Sequence, residues 1–245
     1  MAQIQTDNTR GLAIAALGLG IAVLAISQLF VAMHLQSVQP LNGAYGNEAI
    51  LAFELARTPE ELATVIGTNP PDAAAIAIRA QMDHANRVDF AYIACYSMFI
   101  LWSCMLAAVA RRRSWLLIGV LLGPLAALFD VAENLALLQL TRPDADVAAL
   151  LPQLHLRTML KWELLAIVGA LFAAAFIDGG RVIVSLIASA IAALLLFAGA
   201  MTLIDPAKFG ATLLWSIAAV WFWQIGYAGL RVWQVREAVV HRAAE

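Results

Sequence analysis

The sequence predicts an all-α protein: a polytopic transmembrane helical bundle of about six spans with a short helical cap on its outer face. Three observations predict it. Of 245 residues, 62% are hydrophobic and 13% charged, and mean hydropathy is +0.81. A soluble domain carries about a quarter charged residues, so the charge here is too sparse to cover a soluble surface. Apolar stretches recur at about 11–33, 88–110, 115–139, 162–178, 182–203 and 210–231, and a spanning helix needs roughly 20 such residues. Most of the charge falls between them. This composition excludes a soluble enzyme and a disordered chain. A net charge of −2 gives no basic field for nucleic acid.

The first stretch reaches Met33, and only Arg10 precedes it as a basic flank. It is too long for a signal-peptide core and is expected to be a retained helix. Gly11, Ala15, Gly18, Ala22 and Ala25 form a small-residue stripe on one face of it. Such a stripe suits packing within the chain or, alternatively, homo-oligomerisation.

Residues 34–87 are expected to form an extracytoplasmic helical cap that runs into the second span, within a single integral membrane domain over 1–245. Residues 47–57 read as a short helix. Thr58-Pro59-Glu60-Glu61 is a capping box with proline at the first helical position, starting a helix that ends near Gly67. Pro70-Pro71-Asp72 starts a third helix, with no breaker until past Ala110. Arg79, Asp83 and Arg87 at i, i+4 and i+8 are expected to pair along its outer part. The cap is either a docking surface or a solvated spacer.

The second span carries Cys95 and Cys104, nine residues apart. They lie on opposite faces and are expected to be buried thiols, with no disulfide between them. The second span also places Asp89, Tyr92 and Tyr96 on one face. The third places Asp130, Glu133 and Asn134 on one face, with Gly119 and Gly123 extending it and Pro124 predicting a kink. Ionisable groups inside apolar runs are functional candidates by default. At about 1.5 Å rise per residue, Tyr96 and Asp130 fall at matching depth on antiparallel neighbours, which predicts a Tyr96–Asp130 hydrogen bond. Tyr92 is expected near Glu133 and Asn134. Arg157 and Lys161, before the fourth apolar run, are the expected counter-charges. Gln28, His34, His84, His155 and Glu163 are further outer-side groups. The inner half offers only Ser103 and Gln224, with Trp221, Trp223, Tyr227 and Trp233 expected as an interfacial belt.

Six spans put both termini on one side. That side collects Arg10, Arg111, Arg112, Arg113, Arg181, Arg231, Arg236 and Arg242 in short loops and tails. The positive-inside rule therefore places the termini in the cytoplasm. Lysine is confined to Lys161 and Lys208, a bias of GC-rich bacterial genomes.

Phe53-Glu54-Leu55-Ala56, Asp89-Phe90-Ala91-Tyr92 and Asp130-Val131-Ala132-Glu133-Asn134 together resemble a family of uncharacterised bacterial multi-pass membrane proteins. The resemblance covers roughly 45–140. It implies residence in a bacterial inner membrane and a grouping of these three motifs, and it implies no activity, so enzymatic function is left open. No zinc-protease, P-loop, nucleophile-elbow or haem motif occurs. The acidic spacing carries no metal signature and names no cofactor. Three readings stand: an outer-facing site that binds or processes a lipid or other amphiphile, a packing network in a structural or assembly protein, and a proton- or cation-coupled transporter.

Overall fold

The structure, a computed structural model, describes residues 2–178 and 180–243, with side chains over 9–178 and 180–234. Arg236 and Arg242 therefore lie outside the described side chains. The described residues form eight α-helices and no strand: α1 Ala2–Ala32, α2 Ala49–Glu54, α3 Pro59–Ile66, α4 Ala73–Arg111, α5 Leu117–Leu140, α6 Val147–Ala174, α7 Val182–Ile204 and α8 Pro206–Ala243. Single 3₁₀ turns at Ala44–Asn47 and Ser114–Leu116 precede α2 and α5.

Five helices are long and apolar enough to cross a membrane: α1, α4, α5, α7 and α8. This fits a transmembrane helical protein. The expected fourth span is the exception. Its apolar stretch forms the second half of α6, which starts earlier, at Val147, and ends at Ala174. Arg157, Lys161 and Glu163 keep α6 from qualifying by composition. Buried residues nonetheless run through it from Leu151 to Ala173.

The links α4–α5, α5–α6, α6–α7 and α7–α8 are short, and each pair packs together, which makes them antiparallel neighbours. Helix α1 closes the bundle against α4 and α8. Burial ranks the helices: half of the α4 span window is inside the protein, against 17% for α1 and 22% for α7. Helix α4 is therefore the central post, and α1 and α7 are peripheral. The polar faces of α4 and α5 meet because Gly123 allows it. A Cβ there would come within 2.6 Å of Ile100 Cγ2. Pro124 sits inside α5 at this point.

The cap is part of the core. Leu51, Phe53, Leu55 and Ala56 of the α2 segment and Leu62, Val65 and Ile66 of α3 are buried. Helix α2 packs on α5, α6 and α8. Thr58 accepts the Glu61 N–H at 3.2 Å, and Glu61 Oε2 reaches back to the Arg57 N–H at 2.6 Å. Gly67 ends α3 at φ 76°, a conformation that suits glycine. Asp72 caps α4 through the Ala75 N–H at 2.8 Å.

Three expectations are corrected here. Arg79 does not pair along its helix. It turns inward, is 6% exposed, and donates to the carbonyls of Ile66, Gly67, Thr68 and Thr141 and to Asn69 Oδ1. The end of α3 supplies those free carbonyls, and they outcompete a surface ion pair. Asp83 accepts instead from Thr141 Oγ1 at 2.6 Å. The small-residue stripe of α1 faces outward: a Cβ added at Gly11 or Gly18 would meet nothing within 4 Å, while Ala13, Ala16 and Val23 are buried on the inward side. Of the expected aromatic belt only Trp233 is exposed; Trp221, Trp223 and Tyr227 pack inside the bundle.

Candidate functional site

Four elements deliver charged side chains to one point. Helix α5 supplies Asp130, Glu133 and Asn134, which are 4%, 0% and 1% exposed. Helix α6 supplies Lys161, 4% exposed, one α-helical packing distance away. Helix α4 supplies Asp89 and Tyr96, and Glu54 enters from the end of α2. The Lys161 ammonium is the hub. It lies 2.9 Å from Glu133 Oε1, 2.9 Å from Glu54 Oε2 and 3.3 Å from Asp130 Oδ1. Tyr96 donates to Asp130 Oδ2 at 2.7 Å, the bond its depth in the span predicts. Asn134 donates to Asp89 Oδ2 at 2.7 Å and to the Asn86 carbonyl at 3.4 Å.

Apolar and aromatic groups wall the inner side. The Tyr96 ring stacks on Trp221 of α8 with centroids 5.7 Å apart. Phe99 meets the same indole edge-on at 6.4 Å. The Lys161 ammonium lies 4.9 Å from the Trp162 ring centroid, a cation–π contact beside its ion pairs. Toward α2 the enclosure is thinner: the Glu54 side chain is 14% exposed and Asp89 is half-buried. The cluster is thus walled on the side of Trp221 and Phe99 and less enclosed at the α2 end.

Acidic side chains outnumber basic ones inside it. One ammonium faces Glu54, Asp130 and Glu133, with Asp89 alongside on Asn134. Hydrogen bonding is incomplete as well. Glu133 Oε2, Asp130 Oδ1, Asn86 Nδ2 and Trp162 Nε1 are buried without a hydrogen-bond partner. Asp130 Oδ1 keeps its ion pair to Lys161 but lacks an aligned donor. Unpaired buried carboxylate oxygens are costly. A hydrogen-bond donor placed among them would find open acceptors, and protonation of a carboxyl is the other way to meet that cost.

No family model matches the chain, and no curated protein and no solved structure matches it. The site therefore has to be read from its own chemistry. Among the described residues, no three His, Cys, Asp or Glu side chains are grouped so as to hold a metal ion.

The remaining candidates fall elsewhere. Tyr92 faces α1 and not α5: its hydroxyl accepts a 3.4 Å bond from Ser27, and its ring meets Phe30 and Trp221. Arg157 does not reach a carboxylate. It donates to the Ala132 carbonyl at 2.9 Å and to Gln153 Oε1 at 3.0 Å, bracing α6 on α5. Gln28, His34 and His84 are exposed. Glu163 lies against Gly199 of α7. Cys104 is buried and Cys95 half-buried, both as free thiols.

Two members were not among the site candidates: Glu54, which entered only through its motif, and Thr158. The Thr158 hydroxyl donates to the Glu54 carbonyl at 3.2 Å, so α6 fixes both the backbone and the carboxylate of the α2 terminus. The available signal was a single glutamate in Ala49-Ile50-Leu51-Ala52-Phe53-Glu54-Leu55-Ala56, otherwise wholly apolar.

Proposed function

We propose that the chain is a multi-pass protein of the bacterial inner membrane whose acidic cluster binds the polar head of an amphiphile entering from the outer face. On this reading α6 is the fourth of six spans, and both termini are cytoplasmic. The observation that carries the reading is the excess of acids at the cluster: one buried ammonium contacts three carboxyl groups, Asp89 lies beside them on Asn134, and two buried carboxyl oxygens lack a hydrogen-bond donor. A site of this kind favours a head that donates hydrogen bonds or brings positive charge, and the apolar bundle suits a hydrocarbon tail. The grouping of the three family-like motifs supports the same point, since Glu54, Asp89, Asp130, Glu133 and Asn134 all come from them.

The test is chemical. Wild-type protein and Asp130→Asn are purified in a mild detergent, checked for equal helicity and thermal transition, and extracted for mass spectrometry. The wild type should yield one amphiphile in near-stoichiometric amount, and the variant should lose it. The same species bound equally to a folded Asp130→Asn protein would refute the reading.

A second reading rests on a different observation: the Lys161 ammonium already has three carboxylate partners within the chain. That satisfies its donors and supports a packing network in a structural protein. It expects no ligand in either sample. Transport has less support, because among the described residues the buried polar groups of the inner half are Thr9, Ser103 and Gln224, and none is charged.

A further inference from the structure

A cleft lies between the start of α3 and the N-terminal part of α6. It encloses about 460 Å³ and is lined by Arg57, Pro59, Ala148, Leu151, Pro152 and His155. That volume suits a small-molecule head group. The cleft and the cluster share their supports. Arg57 follows Glu54 by three residues, and His155 precedes Thr158, the donor to the Glu54 carbonyl, by three.

Arg57 is fixed without a carboxylate partner on its guanidinium. Its Nη1 and Nη2 donate to the carbonyls of Thr202, Leu203 and Ile204, the last turn of α7, at 2.7–3.2 Å. Glu61, the nearest acid, uses its Oε2 on the Arg57 backbone N–H. Arg57 Nε and His155 Nδ1 have no hydrogen-bond partner. The neutral form of the His155 imidazole offers one N–H. Pro152 has no N–H, so the Ala148 carbonyl lacks its helical donor at the cleft wall. The rest of the lining is apolar.

We propose that this cleft holds an oxyanion, phosphate or carboxylate, at the head of an apolar tail, with the anion on Arg57 and His155 and the tail leaving along Leu151. The inference rests on the outer-face reading above and names the charge of the head. The head then carries its anion at the cleft and a hydroxyl or amine toward Glu54. A simple apolar amine would not satisfy the cleft.

The experiment uses full-length protein in a maltoside detergent and isothermal titration with dodecyl phosphate, inorganic phosphate and dodecyltrimethylammonium. Dodecyl phosphate should bind saturably, and His155→Gln and Arg57→Gln should each weaken it about tenfold. Because Arg57 also holds the end of α7, His155→Gln is the deciding variant. Unchanged affinity in His155→Gln, or equal binding of dodecyltrimethylammonium, overturns the proposal. Equal binding of inorganic phosphate overturns the apolar tail. Asp130→Asn should keep dodecyl phosphate binding, so loss of the co-purifying amphiphile in Asp130→Asn with no effect of His155→Gln sinks this inference alone. Dodecyl phosphate binding that depends on His155, with no amphiphile depending on Asp130, sinks the reading of the cluster alone.

Discussion

Lys161→Met isolates the hub of the cluster. The side chain is 5% exposed and sits 2.9, 2.9 and 3.3 Å from three carboxylates. At an effective dielectric of about 20, each contact carries roughly 5–6 kcal/mol of gross attraction. Desolvation and repulsion among the carboxylates offset most of it. The useful number is the cost of removing one partner of a buried pair, about 3–5 kcal/mol, because the other charges stay behind uncompensated. For a chain of this size each kcal/mol moves the midpoint by about 2–4 °C. The expected loss in Lys161→Met is therefore about 6–20 °C by thermal unfolding in detergent. Adding Glu133→Gln to Lys161→Met should recover part of that loss, because the two residues are in direct contact and couple. A Lys161→Met protein that melts within about 2 °C of wild type would show that the ammonium is not what holds the carboxylates together.

Other positions give independent checks. Tyr96→Phe removes the 2.7 Å donor to Asp130 and should cost about 1–3 kcal/mol, read as a lower melting temperature with an unchanged helical spectrum. Gly123→Ala drives a methyl to 2.6 Å from Ile100 and should cost about 1–3 kcal/mol. Gly18→Ala, with open space around it, should be neutral or stabilising by up to about 1 kcal/mol in the same melt. Asp178, in the loop after α6, is held below the usual carboxylate range by its bond from Arg111, with the Gly180 and Arg181 N–H groups helping against partial desolvation. Its folded pKa is depressed, so its stabilisation is complete above the ordinary carboxylate pKa and is lost as pH falls through the lower folded value. The melting difference between wild type and Asp178→Asn should accordingly be constant near neutrality and shrink below about pH 4.

Much of the bundle was legible because its information is one-dimensional. Apolar runs mark α1, α4, α5, α7 and α8, and rise per residue places Tyr96 opposite Asp130 without knowledge of the partner helix. The capping residues Thr58, Gly67 and Asp72 read correctly because a cap is a contact within a few residues. What failed required knowing which neighbour lies on which side. Asp89, Tyr92 and Tyr96 share a face, yet three residues turn a helix by roughly 300°, which leaves Tyr92 some way around from Asp89 and in reach of α1. Arg79 and Asp83 have helix-pair spacing, but spacing says nothing of the carbonyls that the end of α3 brings to Arg79. Arg157 and Lys161 are one turn apart and equally plausible as counter-charges; only the packing angle of α6 sends one to Glu133 and the other to Ala132. Glu54 was hidden for a further reason: a six-residue helix is too short for periodicity to show that it is buried on every side.

The position of Lys161 bears on how the protein is made. On the six-span topology proposed above, α6 leaves the ribosome carrying Lys161 and Glu163 in a segment that must partition into lipid. A lysine in such a segment disfavours that step, by up to about 2.5–3.5 kcal/mol when it lies at the helix centre. Helix α5 precedes it and already presents Glu133, to which Lys161 bonds at 2.9 Å. The two helices therefore suit entry as a neutralised hairpin, with α6 retained beside the insertion machinery until α5 is there to receive it. The side chain that organises the finished bundle would then also set the order in which its helices enter the membrane.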